Sequence, residues 1–138
     1  MHRLVIRKFG SGLKVVGGEA FSYCTSLKSL TLPEGVTEWG IRIFRFSGLT
    51  SLTLPQDMKV IPDNIFEGSR ALESISLPDG ATAIGQNAFT DCRSLRNVEI
   101  PESVTTIGAG AFSSCTALKE LDLPSGLTTM LTKHSAIP

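Results

Sequence analysis

Five prolines, Pro33, Pro55, Pro78, Pro101 and Pro124, stand 22, 23, 23 and 23 residues apart, and this spacing restricts the fold more than anything else in the chain. A phenylalanine column (Phe21, Phe44, Phe66, Phe89, Phe112) and a leucine column (Leu27, Leu49, Leu72, Leu95, Leu118) run with it. Five steps separate Phe44 from Leu49 where the other repeats have six, so one residue is missing there. Self-similarity at a period of roughly 20–29 residues is the signature of a solenoid. Each repeat then buries its apolar face only against its neighbours, and no coil stands alone.

Within a repeat the residues before each proline alternate apolar, polar, apolar, which is the period of a half-buried strand. This predicts strands over 27–32, 49–54, 72–77, 95–100 and 118–123, each ended by a proline that has no N–H for a ladder. A second apolar pair follows (Val36 with Trp39, Met58 with Ile61, Ala81 with Ile84, Val104 with Ile107, Leu127 with Met130) and is expected to face inward from the opposite wall. A turn residue comes next, Gly17, Gly40, Gly85 or Gly108, with Pro62 as the exception. The short segment after it carries the column phenylalanine, and one turn of α- or 3₁₀-helix would place that ring in the core. The expectation is one domain over 1–138, a right-handed α/β solenoid of about five 22–23-residue coils. Arg7 stands where later coils have an inward Leu or Val, so 1–10 reads as a frayed first coil. Leu131 replaces the turn residue and Ser135 the next phenylalanine, so 131–138 reads as a degraded end.

Hydrophobic residues at 41% and charged residues at 19% fit a folded globular chain and exclude a disordered one. Thirteen basic and thirteen acidic side chains cancel, leaving no overall field to draw in nucleic acid or an anionic membrane. Residues 1–45 carry seven basic residues against three acidic ones, an excess balanced by the remainder, so charge grades along the solenoid axis. No window reaches the run of about eighteen apolar residues that a membrane span needs, and 1–10 lacks a signal-peptide core. Cys24, Cys92 and Cys115 each lie three residues after a column phenylalanine, in slots that hold Ser47 and Ser69 in the other repeats. That regularity argues for packing, with a Cys92–Cys115 bridge the less favoured alternative.

The combination Leu-x-x-Leu-x-Leu-Pro, Val-Thr-x-Ile-Gly and Ala-Phe-x-x-Cys, as it stands over 95–115, resembles the BspA-type (Treponema pallidum-like) leucine-rich repeats, and the likeness covers roughly residues 10–130. It implies a curved leucine-rich-repeat solenoid with parallel strands on the concave face. It also implies a protein-interaction module, many relatives being surface proteins implicated in adhesion. A fragment of such a protein would belong to the cell surface or exterior, and a complete chain without a signal to the cytosol. Arg7, the short repeat at Phe46-Ser47-Gly48, Pro62 and the residues after Met130 depart from the pattern.

On the strand face two columns are expected to project outward, Ser29, Ser51, Ser74, Asn97, Glu120 and Thr31, Thr53, Ser76, Glu99, Asp122, with Arg96 and Lys119 at the strand entrances. The face is hydroxylic early and acidic late. It reads either as a docking surface, its acids meeting a basic partner or weakly holding calcium, or as ordinary solvation of an open sheet. Ser74, Arg96, Asn97, Glu99, Lys119, Glu120 and Asp122 are its candidate contacts. Tyr23 and Phe46 occupy a column that elsewhere holds Gly68, Asp91 and Ser114, which predicts an exposed apolar patch on the flank. Trp39 and Phe44 fall in inward columns and are expected in the core.

Catalysis finds little support. His2 and His134 lie near the termini, the Glu120–Asp122 pair sits on a flat ladder, and Gly108-Ala-Gly110 recurs as a turn. No cofactor or metal is expected. The reading is a non-enzymatic protein-binding or adhesive module without nucleic-acid or membrane partners. Its alternative is an assembly segment that stacks end to end through uncapped coils.

Overall fold

The structure is a computed structural model and describes residue 6 and residues 8–131. The expected frayed coil and degraded end therefore lie largely outside the described residues. Among the described residues ten short strands follow one another: β1 (Val15–Val16), β2 (Ser29–Thr31), β3 (Glu38–Trp39), β4 (Ser51–Thr53), β5 (Val60–Ile61), β6 (Ser74–Ser76), β7 (Ala83–Ile84), β8 (Asn97–Glu99), β9 (Thr106–Ile107) and β10 (Thr129–Met130). Every pairing among them is parallel and joins one coil to the next, as a solenoid requires.

The first wall pairs β2 with β4 and β6 with β8, in the register that the sequence columns predict: Leu30 opposite Leu52 and Ile75 opposite Val98. Each of these strands buries its middle residue and exposes its two neighbours. The strand expected over 118–123 does not form. Continuing the register from Glu99 would set Asp122 directly opposite it, and like charges across a ladder oppose pairing. Leu123, in the column of buried Leu32, Leu54 and Leu77, is 42% exposed.

The second wall was legible only as an inward apolar pair, yet it is also a ladder. β5, β7, β9 and β10 hydrogen-bond side by side, as do β1 and β3, and Ile61, Ile84 and Ile107 line up inside. The turn glycines permit this closeness. A Cβ on Gly40 would lie 2.2 Å from the Gly18 nitrogen, and one on Gly108 2.5 Å from the Gln86 nitrogen.

The third wall corrects the expectation of helical turns, because the described residues contain no helix. Two residues per coil, four apart, adopt positive φ: Glu19 and Tyr23, Arg42 and Phe46, Asn64 and Gly68, Asn87 and Asp91, Gly110 and Ser114. A left-handed residue reverses the backbone and interrupts a right-handed helix before it can repeat. The segment instead makes isolated turns, such as Ser22 N–H to the Glu19 carbonyl at 3.0 Å. Every second amide is freed to reach the next coil. Phe44 N–H donates to the Ile65 carbonyl, Phe66 N–H to Ala88 and Phe89 N–H to Ala111, at 2.8–2.9 Å.

The phenylalanines form one stack inside these walls. Centroids from Phe21 through Phe44, Phe66, Phe89 and Phe112 are 5.3, 5.8, 5.3 and 5.3 Å apart, with planes within 20° of parallel. Phe9 meets the first ring edge-on at 6.5 Å and 85°, so the N-terminal segment closes the stack with a turned ring. Beside the stack runs the Ser/Cys column. Ser69 Oγ donates to the Phe44 carbonyl at 2.9 Å, and Cys92 Sγ and Cys115 Sγ to those of Phe66 and Phe89 at 3.0 Å. All three cysteines are free. Burial pushes the Cys92 thiol well up and that of Cys115 to about 11, so both stay protonated donors at neutral pH.

Candidate functional site

The side chains that flank each buried strand residue on the first wall stand in water. Ser74, Asn97 and Glu99 are exposed on β6 and β8, and Arg96, Lys119, Glu120 and Asp122 are exposed beside them. The wall hollows in two places. One depression of about 420 Å³ runs from β4 across β6 to Asn97 and Glu99 and takes in Ser74. Another of about 350 Å³ gathers Arg96, Asn97, Lys119, Glu120 and Asp122. All seven first-wall candidates thus line one hollow or the other, Ser74 and Glu99 the first, Arg96, Lys119, Glu120 and Asp122 the second, and Asn97 both.

Local bonds already use part of this surface. Arg96 pairs with Glu73 one coil earlier, and its backbone N–H donates to the Glu73 carbonyl at 2.9 Å. Ser76 Oγ donates to the Glu99 carboxylate at 3.2 Å, and Lys119 Nζ to the Thr116 carbonyl at 3.2 Å. Asn97, Glu120 and Asp122 carry no such bond among the described residues, so their polar groups face solvent. The calcium reading receives no geometry: among the described residues no three of His, Cys, Asp and Glu come together as metal ligands. Among the described residues there is also no helix long and apolar enough to cross a membrane.

Tyr23 and Phe46 lie apart from these hollows, on the third wall. They stack at 5.3 Å, as their shared column predicts, and Tyr23 is 53% exposed. Phe46 corrects the expectation of free exposure, since it is half-buried. Its ring lies over the next coil at Gly68, where a Cβ would come within 2.3 Å of it, and the Arg45 guanidinium sits 5.0 Å from its centroid. With Tyr23 on one face and Gly68 on the other, Phe46 serves packing, and Tyr23 alone presents a surface.

Trp39 packs against the core as expected but is only half-buried. It borders a notch in the second wall with Ile41, Val60, Pro62 and Asp63, a group the sequence reading did not assemble. Its one signal was Pro62 standing in the glycine column.

Comparison with known proteins agrees with this architecture. The sequence pattern described as the BspA type leucine rich repeat region matches residues 4–92 and 40–134, in six copies. A leucine rich cell surface protein from Faecalibacterium prausnitzii A2-165 is similar in structure, with a TM-score of 0.76 and 30% identity over 90% of this chain and 31% of its own. The leucine rich repeat protein of T. pallidum follows at a TM-score of 0.59 and 30% identity, covering 88% of this chain and 47% of that one. The pneumococcal vaccine antigen PcpA matches at 0.61 and 25%, over 91% and 40%. The chain therefore spans a third to a half of the length of these structures. No curated protein matches it.

Proposed function

From the premise that this chain belongs to the BspA-type leucine-rich-repeat family, we propose that it is a non-enzymatic protein-binding or adhesive module that docks a partner on its first wall. One observation carries the reading. The ladder register holds Ser74, Asn97 and Glu99 outward over buried Ile75 and Val98, with Glu120 and Asp122 exposed beside them, giving a polar surface on a rigid support. Rigidity lowers the ordering cost of association. The similar cell surface protein from Faecalibacterium agrees with an extracellular setting. Beads coated with the chain are expected to adhere to a layer of extracellular matrix protein. The pair Asn97→Arg and Glu120→Arg is expected to cut adhesion at least about tenfold, the loss of a central contact. Equal adhesion by the pair would remove the first wall from the proposal.

A second reading has its own support. Leu121, Leu127 and Met130 are only half-buried, and Leu123 and Leu131 are exposed, whereas Val98, Val104 and Ile107 one coil earlier are buried. Such an end surface fits stacking on another coil of the same kind. On size-exclusion chromatography the chain then elutes earlier as its concentration rises, and Leu127→Asp abolishes the shift. An elution volume independent of concentration would contradict assembly.

A further inference from the structure

The notch at Trp39 follows from a single residue. In the column where Gly40, Gly85 and Gly108 bring adjacent backbones together, the third coil has Pro62. Gly40, Gly85 and Gly108 donate their N–H to the carbonyls of Val16, Ile61 and Ile84, all at 2.8 Å. Pro62 has no N–H for the equivalent carbonyl of Trp39, and it carries a Cβ where the glycines have no room for one. The second-wall ladder breaks there, between β3 and β5, and the widest step in the phenylalanine stack, 5.8 Å, is at the same junction. The other walls remain tied, through Ser51 paired with Ser29 of the second coil and through Arg42 N–H to the Asp63 carbonyl at 3.1 Å. Only the second wall opens.

The resulting notch, about 350 Å³, has an apolar floor of Trp39, Ile41, Val60 and Pro62 and one charged lining residue, Asp63. Asp63 uses Oδ1 to accept the Gln86 N–H at 2.9 Å, and Oδ2 has no partner among the described residues. The exposed Glu38 adjoins Trp39 on β3. Lys59 does not offset this charge, because its Nζ reaches toward the fourth coil, 2.8 Å from where a Gly80 Cβ would stand. An aromatic and aliphatic floor with a carboxylate and a carbonyl to which Pro62 cannot donate complements an alkyl stem that ends in a cation.

We propose that this notch binds a single lysine or arginine side chain of a protein partner, its stem on Trp39, Ile41 and Val60 and its head between Asp63 and the Trp39 carbonyl. This deepens the protein-binding reading but uses a different wall, so it fails or stands separately from the first-wall docking. Trp39 is the only tryptophan, so its fluorescence reports this site alone. The full chain is titrated with the blocked tripeptides Ac-Ala-Arg-Ala-NH₂ and Ac-Ala-Lys-Ala-NH₂, and with the neutral citrulline analogue. The charged peptides are expected to saturate the Trp39 signal with Kd on the order of 1–10 mM, as befits one side chain. Citrulline is expected to bind about two- to fivefold more weakly, and Asp63→Asn, which keeps the acceptor for Gln86, to erase that preference. Pro62→Gly is expected to close the notch, shift Trp39 emission to the blue and remove the response. Equal binding of citrulline, a preference that survives Asp63→Asn, no saturation, or unchanged Trp39 emission in Pro62→Gly would each overturn the proposal. Bead adhesion by Asp63→Asn, unchanged if the first wall is the adhesive face, separates the two.

Discussion

Phe89→Ala is expected to lower unfolding free energy by about 3–5 kcal/mol, the usual cost of emptying a buried aromatic site. Phe89 is fully buried and stacked on both faces, with Phe66 and Phe112 each 5.3 Å away. Its removal therefore interrupts two ring contacts along with the burial itself. In a solenoid an interior gap also weakens the coupling between the coils on either side. Denaturant unfolding should then broaden or split, since the two halves lose their common cooperativity. Phe21→Ala is the comparison: that ring is half exposed, and the expected loss is smaller, about 1–2 kcal/mol. Equal losses at the two positions would show that the stack is not the continuous core described above.

Gly108→Ala is expected to cost about 3 kcal/mol, although it adds one methyl group and its φ is not in the left-handed region. The new Cβ would stand 2.5 Å from the Gln86 nitrogen and 2.8 Å from its Cα. Those atoms are backbone and cannot rotate aside, so β7 and β9 must part along the second wall. Gly17→Ala supplies the control within the same column. No atom lies within 4 Å of a Cβ there, and the expected change is within about 0.5 kcal/mol. Thermal unfolding that ranks the two substitutions alike would contradict the close approach of adjacent coils.

The glycine column shows both what the sequence could reveal and where it stopped. Gly40, Gly85 and Gly108 were readable as turn residues, but the reason for them is contact between coils, which a single repeat does not display. The phenylalanine stack and the Leu30–Leu52 register were readable because identical side chains recur at one period, and a solenoid places equal positions on top of each other. The third wall was not. Ala-Phe at fixed offset fits a helical turn as well as the observed one, and left-handed φ at Arg42 or Phe46 leaves no mark in residues that rarely adopt it. The strand expected over 118–123 is opposed by a feature visible only in pairs, since a continued register would set Asp122 opposite Glu99. First-wall exposure at Asn97 and Glu120 followed from period two alone. Trp39 packs on the core as its column implies, but its partial exposure was not legible, because Pro62, 23 residues away, leaves the ladder beside it open.

The claim under all of these is that successive coils lie in register about one shared aromatic axis. Nuclear Overhauser contacts between the rings of successive column phenylalanines test it most directly, with each residue labelled in turn. Cross-peaks are predicted for Phe44 with Phe66, Phe66 with Phe89 and Phe89 with Phe112, and none for Phe44 with Phe89. Rings that give cross-peaks only to residues of their own coil would contradict it.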